Sequence, residues 1–138
     1  MAKPGFISTT PVPERALFVG VDWRANSWPT DRSLDELERL AHTAGAEAVA
    51  RLTQRLDKPI PKSFIGSGKV EELVRMVHSL DIDVVIFDDE LSPSQQSYLE
   101  KAVGEPVKII DRTALILDIF GLHAKTREGR LQVQLAQL

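Results

Sequence analysis

What most constrains this chain is a repeated alternation of short apolar runs with longer stretches of helical spacing. Ala16-Leu-Phe-Val-Gly-Val21 is rich in β-branched and aromatic residues and has the length of a buried strand. Ser33 to Ala44 follows, placing Leu34, Leu37, Leu40, Ala41 and Ala44 on one helical face. Ser33 and Glu36 form a capping-box pattern at its start, and Gly45 is a stop signal. Ala46 to Leu52 reads as the second strand, and the proline-broken Asp57-Lys-Pro-Ile-Pro61 leads to Gly66-Ser-Gly68. Lys69 to Leu80 is a helix, with Val70, Leu73, Val74, Val77 and Leu80 in line. Val84 to Phe87 is the third strand. Ser92 then caps a helix with Pro93 at its first position and Gln95 three residues on, ending at Gly104. Val107 to Ile110 is the fourth strand.

Strands joined by helical crossovers cannot be hairpins, so the predicted class is α/β. It is a small four-stranded parallel sheet with helices on both faces, followed by the start of a helical hairpin. Right-handed crossovers reduce the topologies to a few, and strand order 2-1-3-4 is the expected one.

The pattern changes after the fourth strand. Asp111 is placed to cap a helix whose run Ala114-Leu-Ile-Leu-Asp-Ile-Phe120 is apolar nearly all round, so it is expected to be covered on most sides. Asp118, inside that run, is seven residues from both Asp111 and Lys125; it is expected to face solvent, pair with Lys125 or meet a further domain. Thr126 caps another helical stretch with Leu131, Leu135 and Leu138 in a stripe. That stripe is expected to continue in a longer protein, and helix 127–138 offers a surface for self-association. The expected organisation is an arm over 1–14 broken by Pro4, Pro11 and Pro13, an α/β body over 15–110, and a helical extension over 111–138.

Composition removes several kinds of chemistry. There is no cysteine, so disulfides, thiolate metal sites and cysteine nucleophiles are out. The three histidines, His42, His78 and His123, are too scattered for a histidine-built zinc site. Lys and Arg number 17 against 20 Asp and Glu, a net charge of −3, so nucleic-acid binding would need a local basic patch. No stretch approaches the roughly 20 apolar residues of a membrane span. The opening MAKPGFISTTPVPE lacks the apolar core of a secretory signal. The expected location is the cytoplasm.

In an open parallel sheet, ligands bind beyond the carboxyl ends of the strands. Here those ends carry Asp22-Trp23-Arg24, Gln54-Arg55, Asp88-Asp89-Glu90 and Asp111-Arg112, five carboxylates and three guanidiniums. Asp22, Asp88 and Asp89 are the candidates for a magnesium site, weighed against a capping and solvating role. Gly66, Ser67, Gly68 and Lys69 are the candidates for a nucleotide or anion at a helix start. A Walker A loop requires G-x-x-x-x-G-K-[ST], but Ser63 holds its first glycine position and Val70 its hydroxyl position, so a P-loop is rejected. Trp23 and Trp28 flank a loop and could stack on bases or merely pack it.

Four segments together resemble the N-terminal domain of HflX GTPases. They are Phe64-Ile-Gly-Ser-Gly-Lys-Val-Glu-Glu-Leu73, Ile86-Phe-Asp-Asp-Glu-Leu-Ser-Pro-Ser-Gln-Gln96, Asp111-Arg-Thr-Ala-Leu-Ile-Leu-Asp-Ile-Phe120 and Thr126-Arg-Glu-Gly-Arg-Leu-Gln-Val-Gln-Leu-Ala-Gln-Leu138. The resemblance implies a module that binds the large ribosomal subunit and its rRNA, and that regulates a downstream G domain during ribosome splitting or rescue under stress. It implies two long antiparallel helices after this body, then a G domain holding GTP and magnesium; no cofactor is expected in this chain. Arg24, Arg55, Lys58, Lys62, Lys69, Arg112, Lys125 and Arg127 are the basic residues expected at RNA or domain contacts. Two other readings stand beside it: a nucleotide- or magnesium-binding α/β enzyme using Gly66–Lys69 with Asp22, Asp88 and Asp89, and a free-standing interaction domain.

Overall fold

A computed structural model describes residues 12–23 and 29–121. Its elements run β1 (Glu14–Trp23), α1 (Thr30–Thr43), β2 (Ala46–Leu56), α2 (Ser67–Ser79), β3 (Val84–Phe87), α3 (Pro93–Val103), β4 (Lys108–Asp111) and α4 (Arg112–Ile119). The four strands are parallel and lie in the order β2-β1-β3-β4, the expected topology. Successive crossovers therefore leave β1 in opposite directions, and the sheet has a switch point between the carboxyl ends of β1 and β3.

Each face of the sheet has its own core. On one, Leu17, Val19 and Val21 of β1 and Val85 and Phe87 of β3 bury against Val70, Leu73 and Val77 of α2 and Leu99 and Val103 of α3. On the other, Ala16, Phe18, Val84, Ile86 and Ile110 bury against Leu34, Leu37 and Ala41 of α1 and Leu115 of α4. β3 is buried at all four positions, which is why it reads as an unbroken apolar run. Gly20 is fixed by packing: a Cβ there would stand 2.9 Å from Thr30 Cγ2 and 3.0 Å from Leu34 Cδ1.

Several boundaries differ from those read in the sequence. α1 begins at Thr30 after Pro29, whose carbonyl accepts from Ser33 N at 3.0 Å, so the Ser33/Glu36 capping box is not used. Proline sets the entry angle, and Ser33 falls inside the first turn, where its hydroxyl serves another partner. β2 runs on through Thr53-Gln-Arg55 to Leu56 because those residues pair with Gly20–Trp23. Along β2 the register slips by one residue, Ala16 facing Ala48 and Leu17 facing Ala50, a bulge in an edge strand. The capping box of α3 forms as read: Gln95 N donates to Ser92 Oγ at 3.2 Å, and Ser92 N to Gln95 Oε1 at 2.9 Å.

Of the apolar α4 run, Leu115 is fully buried, whereas Leu117 is 39% exposed and Phe120 71% exposed. Among the described residues, α4 is covered on its inner side only, against the expectation of cover on most sides. Gly121, at φ +73, ends the element. The arm over 1–11, Arg24, Trp28, His123, Lys125, Arg127 and the leucine stripe of 131–138 lie outside the described residues. No helix among the described residues is long and apolar enough to cross a membrane.

Candidate functional site

At the carboxyl ends of the strands, Arg112, Asp88 and Asp111 have internal partners, whereas Asp22, Arg55 and Glu90 are exposed. Arg112, first residue of α4, reaches back across the rim. Its Nη2 and Nε donate to Asp88 Oδ1 at 2.7 and 3.1 Å. Its Nη1 donates to Glu36 Oε1 at 3.2 Å, and Nη2 also meets Ser33 O and Oγ at 3.2 Å. One guanidinium thus ties together the end of β3, the start of α4 and the first turns of α1. Asp111 closes the neighbouring gap: Oδ1 accepts from Ala114 N and Oδ2 from Leu91 N, both at 2.9 Å. At 8% exposure it is a buried carboxylate spent on backbone donors, which fits its capping role.

Asp89 sits between these clusters and the end of β1. Burial first, and repulsion from Asp88 second, push its carboxyl above the usual value of 3.8, with Arg112 and the Trp23 indole pulling the other way. The Trp23 Nε1–H is buried and closes no hydrogen bond of ordinary geometry. Its influence on Asp89 is one of proximity. Asp22 is exposed and, by register, stands beside the exposed Arg55. Among the described residues, no three histidine or acidic side chains assemble into a group that could hold a metal ion. Asp22, Asp88 and Asp89 are divided between solvent, Arg112 and the Trp23 side of the rim.

The glycine segment is also tied down. Gly66 N donates to Gln54 Oε1 at 2.9 Å, and a Cβ on Gly66 would lie 3.0 Å from Gln54 Nε2, close enough that the amide would have to give way. Lys69 Nζ meets Glu72 Oε1 at 3.1 Å, a partly exposed pair one turn along the helix. Ser63, where a Walker loop has glycine, is buried and donates to Ile65 O at 2.5 Å. Gly68, in contrast, has open space where a Cβ would be.

The sequence-named basic residues therefore fall into separate groups. Arg112 and Lys69 are engaged internally. Arg55, Lys58 and Lys62 are exposed on and after β2, and Lys62 Nζ lies 5.0 Å from the Tyr98 ring centroid. Tyr98 carries no signal in the sequence, and Ser33, Glu36 and Gln54 are named there but for other roles than those they take. Their partners lie from 12 to 79 residues away, and no spacing rule links them.

Residues 31–121 match the family of GTP-binding GTPase N-terminal domains. A GTPase HflX of Flavobacterium psychrophilum is 46% identical over 125 residues, covering 90% of this chain and 30% of that protein. One from Caldanaerobacter subterraneus is 49% identical over 126 residues, 91% of this chain and 28% of that protein. One from Escherichia coli is 47% identical over 105 residues, 76% of this chain and 24% of that protein. A crystal structure of a GTP-binding protein from Sulfolobus solfataricus with GDP shares the fold. Its TM-score is 0.60 at 20% identity, over 89% of this chain and 35% of that one. The chain thus spans under a third of these HflX relatives' length. With two thirds of its residues matched by that family's model, the chain belongs to the family of GTP-binding GTPase N-terminal domains, and HflX GTPases are among the proteins it is similar to.

Proposed function

We propose that this chain is a non-catalytic holding module. It binds the large ribosomal subunit through rRNA and transmits that contact to a GTP-hydrolysing domain further along the protein, in ribosome splitting or rescue under stress. The observation that carries this reading is the closed rim. At the switch point, where an α/β enzyme would keep reactive groups free, Arg112, Asp88, Glu36, Ser33 and Asp111 are spent on joining α1, β3, α3 and α4. A rim used this way makes the body stiff, and stiffness is what a positional role requires. The glycine segment supports the same reading, since its lysine and its first amide already have internal partners.

The test is co-sedimentation of the chain with purified large and small ribosomal subunits at graded potassium chloride. Association with the large subunit that weakens as salt rises is the expected result. No association with the large subunit even at low salt overturns the reading.

A further inference from the structure

We infer that the end of β2 and its connection to α2, presenting Arg55, Lys58 and Lys62, form the RNA-contacting face of this domain. The inference rests on the ribosome-binding reading and names the surface that would carry it. From Arg51 to Lys69 the chain has five cations and a single acid, Asp57, in a protein whose net charge is −3. Arg51 is drawn onto Asp35 and Glu38 of α1, and Lys69 onto Glu72. Arg55, Lys58 and Lys62 are exposed, and none of them forms an ion pair among the described residues. They are the cations of this stretch left to an outside partner.

The loop that carries them is held in one shape. Ile60 and Phe64 bond each other both ways, N to O at 3.1 and 2.8 Å, closing a tight turn through Pro61, Lys62 and Ser63. Gln95 Nε2, from α3, donates to Ile60 O at 2.9 Å. Phe64 sits at φ +68, a conformation that strains a bulky side chain. It is held there by burial to 5% exposure and an edge-to-face contact with Phe87, centroids 6.0 Å apart. Strain of this kind persists only where the surroundings over-determine it, and here its consequence is a fixed display of Lys62 within the turn. A partner then loses little to ordering the loop.

The chemistry that fits is a phosphate backbone. Spaced lysines and an arginine neutralise phosphates, and Lys62 is held over the half-buried Tyr98 ring, which limits the positions its charge can take. The Arg112 rim, counted among the contact candidates from sequence, is excluded from this face because its guanidinium is committed to Asp88.

The experiment measures binding of the fluorescently labelled chain to large ribosomal subunits, and to protein-free RNA extracted from them, across 50–200 mM salt. Removing two phosphate contacts by Lys58→Glu with Lys62→Glu should lower affinity on the order of tenfold and flatten the log–log salt slope by about 1.4. The Lys58→Arg with Lys62→Arg variant should retain both, and Arg75→Glu with Lys101→Glu, exposed cations on α2 and α3, should leave both unchanged. If the glutamate pair binds like the parent, the assigned face is wrong and the ribosome reading survives. If the parent binds intact subunits but not extracted RNA, the partner is a ribosomal protein and the RNA assignment falls. If the parent binds neither, the ribosome reading fails and takes this inference with it.

Discussion

Replacing Arg112 by glutamine tests whether the rim is a structural joint. The Arg112–Asp88 pair is partly enclosed, with side chains 24% and 10% exposed, while Glu36 at 57% is a surface partner that contributes little. Full removal of one member of a buried pair costs about 3–5 kcal/mol, and a glutamine amide can still donate one bond to Asp88. Residual solvent access lowers the figure further, so the expected loss is about 2–3 kcal/mol. For a chain of this size that is a fall of about 10 °C in melting temperature. Urea denaturation followed by circular dichroism should show a lower midpoint with an unchanged slope. Pairing the change with Asp88→Asn should recover part of the loss, with a coupling of about 1–2 kcal/mol. A single variant within about 0.5 kcal/mol of the parent would show that the rim is a set of solvated charges and not a structural joint.

Two further substitutions follow from the same geometry. Gly68→Ala should stabilise the chain by about 0.5–1 kcal/mol, since the site is open and alanine is the better helix former, whereas Gly66→Ala should destabilise it by crowding Gln54. Thermal melts of the pair decide this, and equal effects would contradict the assigned contact. Asp89 is raised in the folded state, so folding binds a proton more readily there, and its contribution to stability is lost as pH climbs from near 3.8 through the raised value. Asp89→Asn should therefore gain on the parent as pH rises towards neutrality and match it at low pH. A gain that grows on acidification instead would reverse the assigned cause.

How far the fold was legible in the sequence depended on how local each signal is. Val84–Phe87 is buried on both faces and announces itself as an apolar run, and Ser92-Pro-Ser-Gln95 carries its capping box within four residues. Strand order followed from connection handedness. The second half of β2 was missed because Thr53, Gln54 and Arg55 are polar residues of an edge strand, paired only by register with β1. The start of α1 was misplaced because Ser33 looks like a cap when Pro29 is not weighed as one. The site was less legible than the fold. Arg112 and Asp88 were both singled out, but not as partners, and Glu36 and Ser33, 76 and 79 residues from Arg112, have no local mark of their role. The glycine segment shows the converse: its failure to match a Walker loop was visible in the sequence, while the Gln54 amide that fills the space beside Gly66 was not.

The claim underlying the account is that this domain holds and senses without performing chemistry of its own. Incubating the purified chain with magnesium and either ATP or GTP, and measuring released phosphate for the parent and for Lys69→Ala, tests it most directly. No turnover above the protein-free rate is expected in either sample. Phosphate release by the parent that disappears in Lys69→Ala would contradict it.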